Sequence, residues 1–239
     1  MLSNLFRNLP PVTLNLLIIN VLVYLGVMLL PQFYEMLALH YVESTLFQPH
    51  QILTHMFMHS KYGPMHIFFN MFALVMFGSA VEKQLGSRKF IILYFVSGLG
   101  AMLLQMLSYW YQLSDITPEI LEFINTRGVE VVLEDKNFSD PVLGGYNAAM
   151  NGGMVGASGA IMGVLIAFAY YNPNTELMLI FLPIPIKAKY FIPILMVLEM
   201  TLGVANFQWD NFAHWAHIGG AIAGFILVLI WKRDRNNFY

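Results

Sequence analysis

The sequence predicts an all-α polytopic membrane protein built as a bundle of six transmembrane helices. Three observations carry that reading. Hydrophobic residues make up 58% of the 239 and charged residues only 11%, against about 25% charged in a soluble domain. The missing charge is concentrated in uncharged runs long enough to cross a bilayer. The basic residues also segregate. With six spans, Arg7, Lys83, Arg88, Lys89, Lys187, Lys189, Lys232, Arg233 and Arg235 fall on one side, and only Lys61, Arg127 and Lys136 on the other. Five or seven spans would scramble that division.

The spans follow from run length. Val12–Leu30 is the first; no small-x-small site follows it, so it reads as an anchor and not a cleavable signal. Met65–Val81 is the second and Phe90–Tyr111 the third. Met154–Tyr171, Phe191–Phe207 and Phe212–Trp231 complete the set, the fourth and fifth short but workable for tilted helices. Leu177–Ile186 is apolar but too short to span and is interrupted by Pro183 and Pro185, so an interfacial loop is expected. The positive-inside rule places both termini in the cytoplasm, with residues 1–11 and 233–239 as cytoplasmic ends of one domain at 12–232. The segment Ser114–Asn151 is then external, and it is acidic: Asp115, Glu119, Glu122, Glu130, Glu134, Asp135 and Asp140. The compact six-span build suits a bacterial inner membrane. With no cysteine there is no disulfide, thiolate metal site or cysteine nucleophile. A net charge of −2 without a basic patch gives no reason to expect a nucleic-acid partner.

Polar residues at bilayer depth cost several kcal/mol unless satisfied, so each needs a reason. His66 and Asn70 stand at i and i+4 and share a face of the second span. Ser158 lies in Gly156-Ala157-Ser158-Gly159 at the head of the fourth. His217 opens the sixth, followed by Gly220, Ala221 and Gly224, a stripe almost without side-chain bulk. Packing that stripe on Gly156, Gly159 and Gly163 would bring Ser158 to His217. Taken singly, each has a plainer role: Ser158 as a small packing residue, His217 as an interhelical hydrogen bonder, His66 and Asn70 as helix glue. A serine and a histidine facing each other inside a membrane point instead to peptide-bond hydrolysis.

These motifs, in this order and on these spans, resemble the rhomboid family of intramembrane serine proteases. Its pattern is Gly-x-Ser-Gly on the fourth span, Ala-His with glycines on the sixth and His-x-x-x-Asn on the second, matched here by Gly156–Gly159, Ala216-His217 with Gly220 and Gly224, and His66–Asn70. Gly78-Ser79-Ala80-Val81-Glu82-Lys83 resembles the family's Gly-x-x-x-Glu-Lys. The likeness runs from about His50 to Trp231. It implies that Ser158 is the nucleophile and His217 its base and later acid. No acid stands out to orient that histidine, so a two-residue dyad is expected. The resemblance also implies an oxyanion site from the His66 and Asn70 side chains with the Ser158 backbone N–H, and a wet cavity open to the outside. Transmembrane proteins would be the substrates, lipids the surroundings, and neither cofactor nor metal is implied.

Several features depart from that pattern. His59 and His66 stand seven apart, wider than is common in the family. Pro49-His50-Gln51 stands where many members have Trp-Arg, Met162 replaces an aromatic four residues after the serine, and the acidic segment is long. His55 and His59 have i, i+4 spacing that could bind metal; without a carboxylate nearby, structural hydrogen bonding is the simpler expectation. Glu82 reads as a helix-end anchor. Glu199, inside the fifth span, could snorkel, pair with a polar neighbour or stay protonated. Asn137-Phe138-Ser139 matches a glycosylation sequon. A zinc protease would need His-Glu-x-x-His, an aspartyl protease two intramembrane aspartates, and a transporter internal repeats; none is found. The reading from another class is an inactive relative that binds client helices without cutting them.

Overall fold

A computed structural model describes residues 8–179, 182–205 and 213–236, and the chain is predominantly helical. Pro11 needs no backbone donor and starts α1, Pro11–Leu29. The second span, α2, runs Met65–Leu85 with a π-helical turn at Leu74–Gly78. Gly86, at φ +78°, ends α2 in a backbone region that side chains disfavour, and α3 (Ser87–Gln112) follows at once. The long third span therefore begins at a sharp reversal and not after a loop.

The acidic segment expected as a loop is instead folded. Thr117 accepts from the Ile120 N–H at the head of α4, residues 118–133, which includes a π turn at Ile124–Gly128. Asp140 caps α5, Pro141–Asn151, by accepting from the N–H groups of Val142 and Leu143 at 3.0 and 2.9 Å. Ile124, Ala149 and Met150 are buried together with Tyr41 and Leu113, so this insertion has its own small core on the end of α3. Alternation of acidic and apolar residues here concealed two capped helices.

The fourth span, α6, is Ser158–Tyr171. It starts four residues later than Met154 because residues 152–157 are not helical: Leu39 and Met154 exchange backbone hydrogen bonds of 2.9 Å, and Gly156 lies at φ +138°. At 1.5 Å per residue α6 is about 21 Å long, too short to cross alone, but it is walled by longer helices. Leu177–Ile186 is also not a loop. Its described residues lie in two antiparallel strands, β1 (Glu176–Leu179) and β2 (Leu182–Lys187), in which Glu176 pairs with Lys187 and Leu177 with Ile186. The fifth span, α7, is Ala188–Ala205 and the sixth, α8, is His214–Asn236. The expected ends Phe207 and Phe212 lie outside the described residues. Among the described residues five helices are long and apolar enough to cross a membrane, and the shorter α6 is a sixth apolar helix packed between them; this makes the chain a multi-pass integral membrane protein.

The centre of the bundle is α6 packed on α3 and α8. Nine of the fourteen α6 residues are buried. Side chains are absent where the backbones approach: a Cβ on Gly220 would strike the Gly159 carbonyl, and one on Gly224 would sit 2.5 Å from the Gly163 Cα. Gly159 and Gly163 are also pressed by Ala101 and Ser97 of α3. At the far end Glu82 fastens three elements. Its oxygens accept from the Val12 and Thr13 N–H groups at 3.0 and 2.7 Å, the Thr13 hydroxyl at 2.8 Å and the Ser87 hydroxyl at 2.7 Å.

Because α6 and α8 meet through backbone, a side chain at Gly220 must force them apart. Gly220→Val is expected to cost about 1–3 kcal/mol or more and to lower the unfolding temperature in detergent. Gly26→Ala, where nothing lies within 4 Å, should leave it unchanged or raise it.

Candidate active site

Ser158 is the first residue of α6, so its hydroxyl and backbone N–H emerge where the helix has unfilled amide donors. The chain reaches that point through Gly156, whose N–H donates to the His55 carbonyl at 3.0 Å. At its left-handed φ a side chain would be strained, and a Cβ there would also lie 3.2 Å from His66 Nε2 and 3.3 Å from Ser158 Oγ. The glycine thus clears the space in which Ser158 and His66 approach.

His217 comes from the first turn of α8, where the Gly159–Gly220 contact fixes its height relative to Ser158. Its Nε2 is 2.8 Å from Ser158 Oγ. Its Nδ1 is 2.9 Å from Glu199 Oε2, and the same oxygen lies 2.6 Å from Nδ1 of His214. A carboxylate thus stands beside the histidine for which the sequence offered no acid. Glu199 is not snorkelling toward an interface; it turns inward from α7 and joins two imidazoles. A signal for this was present in His214 and His217, three apart and so on one helix face, but nothing local links them to residue 199.

His66 is positioned from its other side. The Ser60 N–H donates to its Nδ1 at 3.1 Å. That nitrogen must therefore be an acceptor, and in a neutral ring the proton then sits on Nε2, the atom facing the Gly156–Ser158 space. Asn70 is buried one turn along α2, where its amide nitrogen donates to the His66 carbonyl at 2.8 Å. Ser158, His217 and His66 line one cavity, and Asn70 is not among its lining residues. The cavity is about 790 Å³, large enough for many waters, and Gln105 and Tyr109 of α3 and Asp135 and Lys136 of the insertion also border it. At its rim Lys61 pairs with Asp135 and stands 3.7 Å from Glu35. Burial raises the Glu35 carboxyl above its usual range despite Lys61.

The departures from the family pattern find physical roles. Gln51 is fully buried and holds the first loop together: its Oε1 accepts from the His40 and Gln48 N–H groups, and its Nε2 donates to the Leu46 carbonyl at 2.9 Å. His59 meets His66 edge-on with ring centroids 5.2 Å apart, so the wide spacing still brings the two rings together. His55 Nδ1 instead faces the Gln51 carbonyl at 2.8 Å. Met162 packs in the main core cluster. Glu199, His214 and His217 are donor types that zinc accepts, with ligand atoms within 4.8 Å of one another, and both imidazoles are already hydrogen bonded to the carboxylate.

A serine hydroxyl hydrogen bonded to an imidazole, beside a second histidine with an N–H free to donate, in a cavity of about 790 Å³ among membrane-spanning helices, defines a class: a polytopic membrane protein with a serine–histidine pair facing a roomy cavity. Residues 46–117 and 131–233 match the Rhomboid domain, and the chain belongs to the rhomboid family. It is 28% identical over 236 residues to Rhomboid protein 1, mitochondrial, of Saccharomyces cerevisiae, covering 92% of this chain and 56% of that protein. It is 28% identical over 175 residues to Rhomboid protease AarA of Providencia stuartii, covering 70% and 50%. With Rhomboid protease GlpG of Salmonella choleraesuis it shares 33% over 132 residues, covering 53% and 47%. The chain thus spans about half the length of these relatives.

Burial pushes His55 down from 6.5 to about 4, and burial with the neighbouring His66 pushes His59 down to about 3. Both are neutral in the fold, whereas the unfolded chain takes up protons near 6.5. Stability is therefore full above that pH and is lost as pH falls toward the folded values. The unfolding temperature in detergent should drop between pH 6.5 and 4.5. In the double variant His55→Asn, His59→Asn the slope should flatten.

Proposed function

We propose that the chain is an intramembrane serine endopeptidase. The observation that carries this is the 2.8 Å contact of His217 Nε2 with Ser158 Oγ, within hydrogen-bond reach for proton transfer. In the reaction His217 takes the hydroxyl proton as Ser158 Oγ attacks the scissile carbonyl carbon. The oxyanion so formed is met by the Ser158 N–H and by His66 Nε2–H, the donor left by the Ser60 contact. His217 then gives its proton to the leaving amine. A water from the cavity, deprotonated by the same imidazole, releases the acyl group and restores the serine. Asn70 serves this site by supporting the His66 turn, and its role in the oxyanion site is part of the proposal. No step calls for a metal or cofactor.

The substrates are transmembrane or juxtamembrane segments of other membrane proteins, with lipid as the surroundings. The cavity lies at the insertion end of the bundle, opposite the basic residues around Lys83, Arg88 and Lys232. By the positive-inside rule the cut falls near the external face and both termini are cytoplasmic. A bacterial inner membrane gains no support from relatives named as mitochondrial in yeast, Arabidopsis thaliana and Danio rerio, so the proposal concerns orientation and not organelle.

The test is purified wild type beside Ser158→Ala in detergent, with a fluorophosphonate probe and a model transmembrane substrate. Wild type should label and cleave, and Ser158→Ala should do neither while unfolding at the same temperature. His66→Ala should label but turn over roughly 10- to 1000-fold more slowly. A folded wild type that bound substrate without labelling or cutting would give way to the non-cleaving binder.

A further inference from the structure

The proposed dyad leaves one strongly placed group without a role. Glu199 lies in the middle of α7, with its side chain only 12% exposed. A carboxyl there is costly and requires strong partners. Both partners are histidines of α8, and both use Nδ1 toward one oxygen, Oε2, at 2.6 and 2.9 Å. An ionised carboxylate accepts both N–H groups with a single consistent assignment of protons. That assignment has a consequence at Ser158. With its one proton on Nδ1, neutral His217 presents Nε2 as a lone pair, the form needed to accept from a hydroxyl 2.8 Å away.

We propose that Glu199 is the orienting acid of a Ser158–His217–Glu199 triad, with His214 as the second donor that fixes the carboxylate in place. Glu199 is a positioning residue: it touches neither substrate nor Ser158 and acts through His217. It holds the productive tautomer in the resting state and neutralises the imidazolium formed when Ser158 gives up its proton. The acid itself is not protonated in the cycle. His214 serves the carboxylate and not the reaction. By hydrogen bonding to the same oxygen it stops Glu199 from rotating away and supplies part of the solvation that the span withholds. The chain order, serine then glutamate then histidine, is that of a triad type known from an unrelated soluble fold, so the arrangement is chemically sufficient for acyl transfer. The inference rests on the serine-endopeptidase reading above and adds a third residue to it.

The alternative use of the same atoms is a metal site, since two histidines and a glutamate are a zinc donor set. The two readings differ in what they require. A triad works without metal and is blocked by an ion on His217 Nδ1, whereas a metal-dependent site loses activity on chelation.

The experiment compares wild type, Glu199→Gln and Glu199→Asp on a model transmembrane substrate in detergent, with and without EDTA, each checked by thermal unfolding. Glu199→Gln keeps shape but loses charge and offers an amide N–H to Nδ1, which favours the wrong tautomer. Its kcat should fall roughly 10²- to 10⁴-fold with KM within about threefold. Glu199→Asp keeps the charge on a shorter arm and should recover part of that loss, and it carries the test if the glutamine variant unfolds early. Wild-type activity should survive EDTA. A glutamine variant within threefold of wild type, an aspartate variant no better than glutamine, an effect confined to KM, or loss of wild-type activity in EDTA would each overturn the triad while leaving Ser158 labelling as evidence for the serine reading. A wild type that neither labels nor cleaves removes both.

Discussion

The contact of α6 with α8 through glycine backbone sets the distances on which the site depends. In a bilayer there is little hydrophobic drive to press helices together, since lipid tails are as apolar as leucine, so close packing of small residues must do it. Gly159 against Gly220 and Gly163 against Gly224 leave no side chain to act as a cushion. The spacing of the two helices is therefore fixed by main-chain atoms. A hydrogen bond of 2.8 Å between residues 59 positions apart needs that kind of rigidity, because a few tenths of an ångström decide whether a proton can pass. The shortness of α6 follows from the same design. It begins where Ser158 faces the cavity, and the longer α3 and α8 shield it.

Around this contact several buried polar groups are met by others. Glu82 gathers the N–H groups of Val12 and Thr13 and the hydroxyls of Thr13 and Ser87, and so ties the start of α1 to the α2–α3 reversal. Ser60 assigns the proton of His66. At the insertion end the cost of polarity is lowered differently, by a cavity large enough to hydrate the site. The folded insertion borders that cavity, and the Lys61–Asp135 pair joins it to the first loop. The acidic segment is thus part of the site's wall.

Much of this was legible in the residues. Run length and the distribution of lysine and arginine defined the spans, because crossing a bilayer imposes a length and translocation imposes a charge bias. The Ser158–His217 meeting was legible from the small-residue stripes, since glycine at i, i+3 or i+4 spacing marks a face that another helix can reach. What was not legible depended on backbone state or on tertiary distance. Residues 154–157 are as apolar as a helix, and only the φ of Gly156 and the pairing of Leu39 with Met154 show that the helix has not yet begun. Leu177–Ile186 carries two prolines that argue against a regular element, yet an isolated strand pair tolerates proline on its edges. Glu199 had three open fates because a carboxyl in an apolar run says nothing of what faces it across the bundle. His214 passed unnoticed, although its spacing from His217 was the available clue.

The site draws its members from helices of very different burial, and this divides the labour between them. Ser158 and His217 stand on the tightly packed α6 and α8. Glu199 stands on α7, where Ala188 and Ile192 are the buried residues and most of the face is uncovered. The distance between nucleophile and base is thus independent of α7. The tautomer and charge balance of the base are not, since they rest on an oxygen delivered by that helix. Any displacement of α7 that separates Glu199 from His217 would leave Ser158 and His217 in contact but deprive the imidazolium of its counter-charge. On the proposed mechanism the serine–histidine geometry belongs to the rigid centre and the rate to a contact with the span least buried in the bundle.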